Sequence, residues 1–180
     1  MFEINMQQNT MKQLSKANFS DSGIKERSHL QEWIADQPDA LGEEFLIIQK
    51  EFAGFDDTQE RLDLLALDTN GSLVIIENKL DDSGRDVVWQ GLKYVAYCST
   101  LSKTQIIDIY QAYLQTCDPG ADASERICEF LDAQSIDDVT LNSGSDQRLI
   151  LVAANFRKEV TSAVLWLIEK GVRIQCMKAT

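Results

Sequence analysis

The chain has 180 residues, with 17 basic and 29 acidic residues, a formal net charge of −12 and an apolar fraction of 44 %. This length predicts one domain with a sizeable core, and the acidic charge argues against tight binding to DNA over the whole surface. No run approaches the roughly eighteen apolar residues of a membrane span, and the four cysteines do not have the spacing of a zinc site or disulfide framework.

The N-terminus lacks the short apolar run of a signal peptide, so we expect a cytoplasmic protein with no membrane partner. We divide the chain into an N-terminal arm, residues 1–21, and a domain, residues 22–180. The arm is polar with scattered apolar positions, which favours at most one short strand or helix. Apolar residues at helical spacing predict a helix over residues 24–36. His29 on this helix is the only histidine, and we expect it at the surface, which argues against histidine-dependent catalysis.

Three apolar runs predict the first strands of a sheet. Residues 45–52 form the first run, and residues 61–67 and 72–78 flank an Asn-Gly pair, which is a strong signal for a β-hairpin. Neither hairpin strand alternates apolar and polar residues, so we expect both of their faces to be covered. The hairpin is therefore placed in the middle of a sheet with helices on its two sides.

The register of this hairpin decides the chemistry. A three-residue loop that ends with Gly71 in the left-handed conformation pairs Asp63 with Glu77, whereas a two-residue loop pairs Asp63 with Asn78. A slip of one residue moves every side chain to the other face. We favour the first register because it puts Asp63, Glu77 and Lys79 on one face.

Two carboxylates held together repel each other and raise each other's pKa. A hard divalent cation relieves this repulsion, so Mg²⁺ is the expected cofactor, with Mn²⁺ as its substitute. Such a metal activates water and stabilises charge on a phosphate. The compact ammonium group of Lys79 suits either the orientation of the attacking water or the binding of the phosphate.

A helix follows the hairpin. Ser83 and Asp86 predict a capping box at its start, and the helix is expected to run to about Ser99. Gln90 and Tyr94 lie one turn apart on one face, which can be aimed at the carboxylates. A polar surface position for Gln90 and a packed aromatic ring for Tyr94 remain open as alternatives.

Further elements complete the predicted fold. They are helices over residues 102–116, 123–133 and 158–170, and strands over residues 148–154 and 172–177. The order predicts a mixed α/β fold with a central sheet between helices. The chain stops directly after a strand, which suggests the first domain of a longer protein with a further C-terminal domain. A homodimer is left open.

Asp63 is followed after fourteen residues by Glu77-Asn78-Lys79, and this pattern resembles the D…ExK signature of the PD-(D/E)XK nuclease superfamily. Gln90 and Tyr94 resemble the Q-x-x-x-Y motif of its RecB-like and NucS/EndoMS-like branches. The resemblance covers roughly Glu26 to Tyr97. The proline of the superfamily's name is absent, because a leucine precedes Asp63.

The resemblance implies a restriction-endonuclease-like fold and a role for each matching residue. Asp63 and Glu77 would bind the metal, Lys79 would position water or phosphate, and Gln90 would assist. The first core helix of the family supplies a glutamate to the metal site. Glu26 is our candidate for it by position.

Glu32 is the alternative to that first candidate, and a solvated carboxylate is an equally plausible role for either residue. Arg85, Lys93 and Tyr94 of the later helix are the candidate nucleic-acid contacts. Arg85 in particular is expected in the first turn of this helix, where it would meet a backbone phosphate.

The expected function is a metal-dependent DNA endonuclease, acting in repair or defence on branched, single-stranded or mismatched DNA. The first alternative is a binding domain of the same fold without catalysis, which the acidic charge favours. The second is a structural or dimerising domain, in which Asp63 and Lys79 form a salt bridge. The complete set of Asp63, Glu77 and Lys79 favours the enzyme.

Overall fold

A five-stranded mixed sheet forms the centre of the computed structural model, which describes residues 2–13, 19, 22–54, 61–144 and 146–179. The elements, in chain order, are β1 (Phe2–Asn5), β2 (Thr10–Gln13), a π-helical segment (Glu26–Gln31), α1 (Glu32–Asp36), a 3-10 turn (Pro38–Leu41), β3 (Phe45–Phe52), β4 (Leu62–Asp68), β5 (Leu73–Asp82), α2 (Val87–Cys98), α3 (Lys103–Cys117), α4 (Ala123–Phe130), a second 3-10 turn (Ile136–Asp138), β6 (Arg148–Asn155), α5 (Lys158–Glu169) and β7 (Arg173–Lys178).

The strands of the central sheet lie in the order β3-β4-β5-β6-β7. The first three are antiparallel neighbours, whereas β5, β6 and β7 run parallel. Helices cover the two faces of the sheet, so the prediction of a mixed sheet flanked by helices is confirmed. The helix α5 makes the crossover between the parallel strands β6 and β7, as parallel pairing requires.

Two apolar clusters, one on each face, hold the sheet between its helices. The larger contains Leu65 and Ile75 from the hairpin and side chains from α2, α3, α4 and α5. The smaller contains Leu64 and Ile76 together with Leu30 of the π-helical segment and residues of α1. β4 is buried along its whole length, and β5 is buried from Leu73 to Asn78, as the continuous apolar runs predicted.

The first of the two hairpin registers is confirmed. Leu65 pairs with Ile75, the N–H of Asp68 donates to the carbonyl of Ser72 at 3.0 Å, and the N–H of Gly71 donates to the carbonyl of Asp68 at 2.9 Å. Gly71 has a φ of 76°, and a Cβ there would lie 2.5 Å from a backbone carbonyl oxygen. Both the left-handed conformation and the close approach therefore require glycine.

Local signals at the ends of two helices were misleading. The predicted helix over residues 24–36 is π-helical from Glu26 to Gln31 before it becomes α1. The predicted capping box of Ser83 and Asp86 is wrong, because β5 continues to Asp82 and α2 begins at Val87 without a side-chain cap. The Ser83 hydroxyl donates instead to the carbonyl of Gly84.

The N-terminal arm contains an antiparallel pair of exposed strands, β1 and β2, where at most one short strand was predicted. Residues 1, 14–18 and 20–21 of the predicted arm lie outside the described residues. The boundary between arm and domain stays a prediction. Within the described part of the chain, no helix is both long enough and apolar enough to cross a membrane.

Candidate active site

The hairpin brings the predicted carboxylates together at one end of the sheet. Asp63 is the second residue of β4, and Glu77 lies in β5. The observed pairing of Leu64 with Ile76, extended by one residue, puts Asp63 opposite Glu77. Lys79 shares their face because alternate residues of a strand point the same way.

The cluster is held by ion pairs to the ammonium group of Lys79 and by hydrogen bonds from the backbone of β5. Its Nζ lies 3.2 Å from Oε1 of Glu77 and 3.8 Å from Oε1 of Glu26. The other oxygen of Glu26, Oε2, accepts the backbone N–H of Leu80 at 3.0 Å. Oδ2 of Asp63 accepts the backbone N–H of Asn78 at 2.8 Å. Glu77 and Glu26 thus approach the same lysine, and Glu26 and Asp63 are both bound to the backbone of β5.

Glu26, rather than Glu32, is the glutamate that reaches this cluster. Oε2 of Glu32 pairs with Nζ of Lys50 in β3 at 2.7 Å, so the charge of Glu32 is neutralised outside the cluster. Glu26 opens the π-helical segment, and its side chain extends along β5. The structure therefore separates two candidates that helical spacing in the sequence left open.

Burial makes the carboxylates of the hairpin weak acids. Glu77 has no exposed surface, and desolvation, with the nearby charge of Asp63, raises its pKa to about 8. Desolvation also raises the pKa of Asp63 to about 6. Burial alone would lower the pKa of Lys79, but the surrounding carboxylates, Glu77 first, outweigh it and raise that pKa. Lys79 stays charged, and both carboxylates gain acidity when a cation approaches.

Oε2 of Glu77 is buried and has no hydrogen-bond partner among the residues that the structure describes. A buried carboxylate oxygen without a partner is costly, and a cation that binds it removes that cost. Carboxylate oxygens are the ligands that Mg²⁺ accepts, often one or two of them together with water. Asp63 and Glu77 fit such an ion. Among the described residues, no three acidic, histidine or cysteine side chains converge closely enough to form a ready-made metal cage.

Gln90 and Tyr94 of α2 form a chain of hydrogen bonds to the start of β4. Nε2 of Gln90 donates to the hydroxyl of Tyr94 at 3.0 Å, and this hydroxyl donates to the carbonyl of Arg61 at 3.1 Å. Gln90 thus reaches the backbone two residues before Asp63. The prediction that Tyr94 contacts nucleic acid is contradicted, because its side chain is only 1 % exposed and packs in the larger core.

Arg85 and Lys93 differ in exposure. Arg85 is exposed, as a nucleic-acid contact requires, but it precedes α2 and does not lie in the first turn as predicted. Lys93 lies within α2 and is half-buried. Their predicted contacts with nucleic acid stay predictions.

Residues 26–147 match the family model of the endonuclease NucS C-terminal domain. The chain belongs to this family. The match begins at Glu26 and spans the hairpin and α2, so it includes every candidate site residue. No curated protein matches the sequence.

Three solved structures are similar to the chain. An EndoMS–dsDNA2 complex has a TM-score of 0.47 and 16 % identity, and the match covers 94 % of this chain and 48 % of that chain. EndoMS in its apo form has a TM-score of 0.45 at 15 % identity, with 94 % and 50 % covered. A repair endonuclease from Pyrococcus abyssi has a TM-score of 0.36 at 15 % identity, again with 94 % and 50 % covered. The chain spans about half the length of these proteins.

Sequence reasoning missed two buried polar residues of this NucS-family domain. Asn78 is wholly buried, and Gln31 in the π-helical segment is 1 % exposed. Asn78 carried a signal, since it is a polar residue that sits between two predicted site residues in an apolar strand. Gln31 carried none, because a glutamine on a short helix is ordinarily a surface residue.

Proposed function

We propose that this chain is a Mg²⁺-dependent endonuclease that hydrolyses phosphodiester bonds in DNA, with Mn²⁺ able to replace Mg²⁺. The observation that carries the proposal is the unpartnered, buried Oε2 of Glu77 beside Asp63 and Lys79. A cluster that served stability alone would have all of its buried charges paired. Membership of a family of endonuclease domains supports the same reaction.

Asp63 and Glu77 would hold the metal, and Glu26 would assist through Oε1, since its Oε2 is bound to the N–H of Leu80. When bound, Mg²⁺ supplies positive charge to the phosphate and lowers the pKa of water. The two carboxylates are fixed in advance by the pairing of β4 with β5, so little reorganisation precedes binding. Such preorganisation is the main protein contribution to stabilising developing charge.

Lys79 would bind the scissile phosphate or orient the attacking water. An ammonium group has three donors, and Glu77 accepts one of them at 3.2 Å. A further donor is therefore available for a phosphate oxygen. The half-buried position of Lys79 strengthens such a charge-assisted hydrogen bond, because water screens it less than at the surface.

Gln90 would act as a positioning residue. Its hydrogen bond to Tyr94 supports the carbonyl of Arg61 and so fixes the backbone next to Asp63. Arg85, which is exposed before α2, would contact a backbone phosphate of the DNA. Phosphate contacts of this kind orient the duplex without reading its sequence.

The net charge of −12 is not an objection to this function, because the charge is unevenly distributed. Residues 104–147, which include most of α3 and all of α4, hold nine of the 29 acidic residues and one of the 17 basic residues. This segment accounts for most of the net charge, and it contributes no residue to the site. DNA binding depends on the local surface around the site rather than on the whole-chain charge.

The test is cleavage of end-labelled single-stranded, duplex, mismatched and flap DNA with Mg²⁺, Mn²⁺ or a chelator. The Lys79→Ala variant is compared with Lys170→Ala, which removes a lysine that follows α5 and packs on Trp166. We expect metal-dependent cutting that Lys79→Ala abolishes and Lys170→Ala retains. Cutting that survives in Lys79→Ala, or no cutting by the folded protein, would contradict the proposal.

A second candidate function is DNA binding without catalysis. The ion pair of Lys79 with Glu77 at 3.2 Å favours it, because in this arrangement the lysine already neutralises one of the proposed ligands. Fluorescence anisotropy with labelled flap and duplex DNA in the presence of a chelator separates the two functions. Metal-independent binding together with no cutting in Mg²⁺ or Mn²⁺ would favour the binding domain.

A further inference from the structure

Two buried amide side chains contain atoms without hydrogen-bond partners. Within the described part of the chain, neither Oδ1 nor Nδ2 of Asn78 has a partner, and the same holds for Oε1 of Gln31. Both residues are buried, at 0 % and 1 % exposure. An unpaired amide in the interior lowers stability, and native proteins retain few of them. The presence of three such atoms on two packed elements therefore requires an explanation.

The two amides lie on elements that face each other. Even-numbered residues of β5, such as Ile76 and Leu80, pack in the smaller apolar cluster with Leu30 of the π-helical segment. Asn78 points to the same face because side chains alternate along a strand. Gln31 directly follows Leu30 and is buried with it. The π-helical segment packs on β5 and covers this face.

The unpaired atoms are chemically complementary, since Nδ2 of Asn78 is a donor and Oε1 of Gln31 is an acceptor. We propose that Asn78 and Gln31 form a polar link, either directly after a small side-chain rotation or through one buried water. Buried waters typically bridge polar groups of this kind. The link fixes the π-helical segment on β5 and thereby positions Glu26 at the site.

Glu26 and Gln31 are the first and last residues of the π-helical segment, so they are separated by one i→i+5 step. Oε2 of Glu26 already accepts the N–H of Leu80 in β5. With the link, the segment is attached to β5 at both of its ends. The backbone N–H of Asn78, the strand residue of the link, also donates to Asp63. Asn78 therefore helps to position the carboxylates of both Asp63 and Glu26.

A polar link explains why this helix keeps a rare geometry. A π-helical turn is less stable than an α-helical one and is common at functional sites. Two apolar residues at positions 31 and 78 would fill the same space but would pack in more than one register. Complementary amides are satisfied in one register only, and a single buried polar pair is known to fix register in packed helices.

The experiment is a double-mutant cycle with Asn78→Leu, Gln31→Leu and the double variant. Ile76→Val is the matched control, because it changes the same face of β5 without a polar group. Three quantities are measured for each full-length variant: the thermal unfolding midpoint, the exchange rate of the Leu80 amide by NMR, and Mn²⁺ affinity by calorimetry. The affinity measurement rests on the function proposed above, whereas the first two do not.

The link predicts non-additive midpoints, with the double variant less destabilised than the two single variants together, because neither amide is then left alone. The Leu80 amide is expected to exchange about tenfold faster in all three variants once Glu26 is no longer held. Mn²⁺ affinity is expected to fall about tenfold, the lower end for groups that orient metal ligands. Ile76→Val should lower the midpoint and change neither of the other quantities.

Additive midpoints with unchanged exchange at Leu80 would overturn the link. Non-additive midpoints with unchanged exchange and unchanged Mn²⁺ affinity would show a link that serves stability alone, and would overturn the positioning role. If the unmodified protein neither binds Mn²⁺ nor cuts DNA, the proposed function fails. The cycle and the Leu80 exchange rate then still decide whether the link exists and whether it holds Glu26.

Discussion

Two charged clusters lie at opposite ends of β4, and they differ in how completely their carboxylates are hydrogen-bonded. At one end, Oδ2 of Asp68 binds Arg148 at 3.2 Å, and the guanidinium also binds Glu43 at 2.6 Å and Gln175 at 2.8 Å. The other oxygen of Asp68 accepts two backbone N–H groups of the hairpin turn. The hydrogen bond from Arg148 lowers the pKa of Glu43. The charged form of Glu43 is thereby stabilised, and both oxygens of Asp68 have hydrogen-bond partners.

At the other end of β4, Asp63 and Glu77 have raised pKa values, and one oxygen of Glu77 has no partner in the described ranges of the chain. Each end combines acidic residues with one basic residue, but, among the described residues, only at the end that contains Arg148 do the carboxylates of the hairpin have all of their oxygens hydrogen-bonded. The difference supports the proposal that the satisfied buried cluster serves the fold, whereas the unsatisfied one serves binding. Substitutions that treat the two ends alike should therefore have different consequences.

The largest expected effect is that of Glu77→Gln on cleavage. Removing the charge of a group that stabilises the reaction costs about 10²–10³-fold in rate, so single-turnover cleavage should fall at least this far. The thermal midpoint at pH 8.5 should rise, because the substitution removes a buried charge that burial disfavours. A stable variant with undiminished cleavage would show that this end of β4 is not the site.

Arg148→Met should lower the stability of the protein and leave its cleavage activity unchanged. It leaves Asp68 buried and unpaired, which costs about 3–5 kcal/mol of unfolding free energy, measured by urea denaturation. Arg173→Met is the control, since Arg173 is exposed and starts β7, and a surface change of this kind stays within about 0.5 kcal/mol. Equal losses in the two variants would contradict the structural role of the cluster. Cleavage per folded molecule should remain unchanged.

Sequence alone could predict the hairpin and its carboxylates because their signals are local. The Asn-Gly pair with Gly71 limits the turn to two registers, and the charged residues choose between them. Asp63 and Glu77 then meet by strand geometry alone. The mixed sheet followed from the order of the apolar runs. These parts of the prediction are confirmed by the observed pairing.

Interactions between distant segments could not be predicted in the same way. Arg148 meets Glu43 across 105 positions of sequence, and no local pattern encodes such a pair. The π-helical phase of the segment also changes which residue of the first helix reaches β5, so Glu26 and Glu32 could not be separated by helical spacing. The failed capping box at Ser83 has a tertiary cause, because β5 pairs with β6 beyond the point where the apolar run ends.

The pH dependence of stability offers a smaller, directional test. Burial raises the pKa of Glu77 from its ordinary value of 4.5 to about 8 in the folded state. Between these pH values, the folded state retains a proton that the unfolded state releases, so stability falls as pH rises. The metal-free protein should therefore have a higher thermal midpoint at pH 5.5 than at pH 8.5. This difference should shrink in Glu77→Gln, and an unchanged difference would assign it to other groups.

For the cluster around Arg148, the stability changes with pH in the opposite direction. The pKa of Glu43 is lowered, so its contribution to stability is present above its ordinary pKa and is lost as pH falls through the lowered value. Arg148→Met should remove this loss in acid and leave the change between pH 5.5 and 8.5 intact. The two ends of β4 can thus be separated by pH within one protein.

The smallest expected effect concerns the support of the site through α2. Tyr94→Phe removes the hydroxyl that joins Gln90 to the carbonyl of Arg61, at a cost of about 1 kcal/mol of unfolding free energy. Tyr110→Phe, a change at a buried tyrosine of α3, is the control. If Gln90 acts only through Tyr94, Tyr94→Phe and Gln90→Leu should reduce cleavage by the same factor, and the double variant should reduce it no further. A larger loss in the double variant would mean that Gln90 contacts the substrate directly.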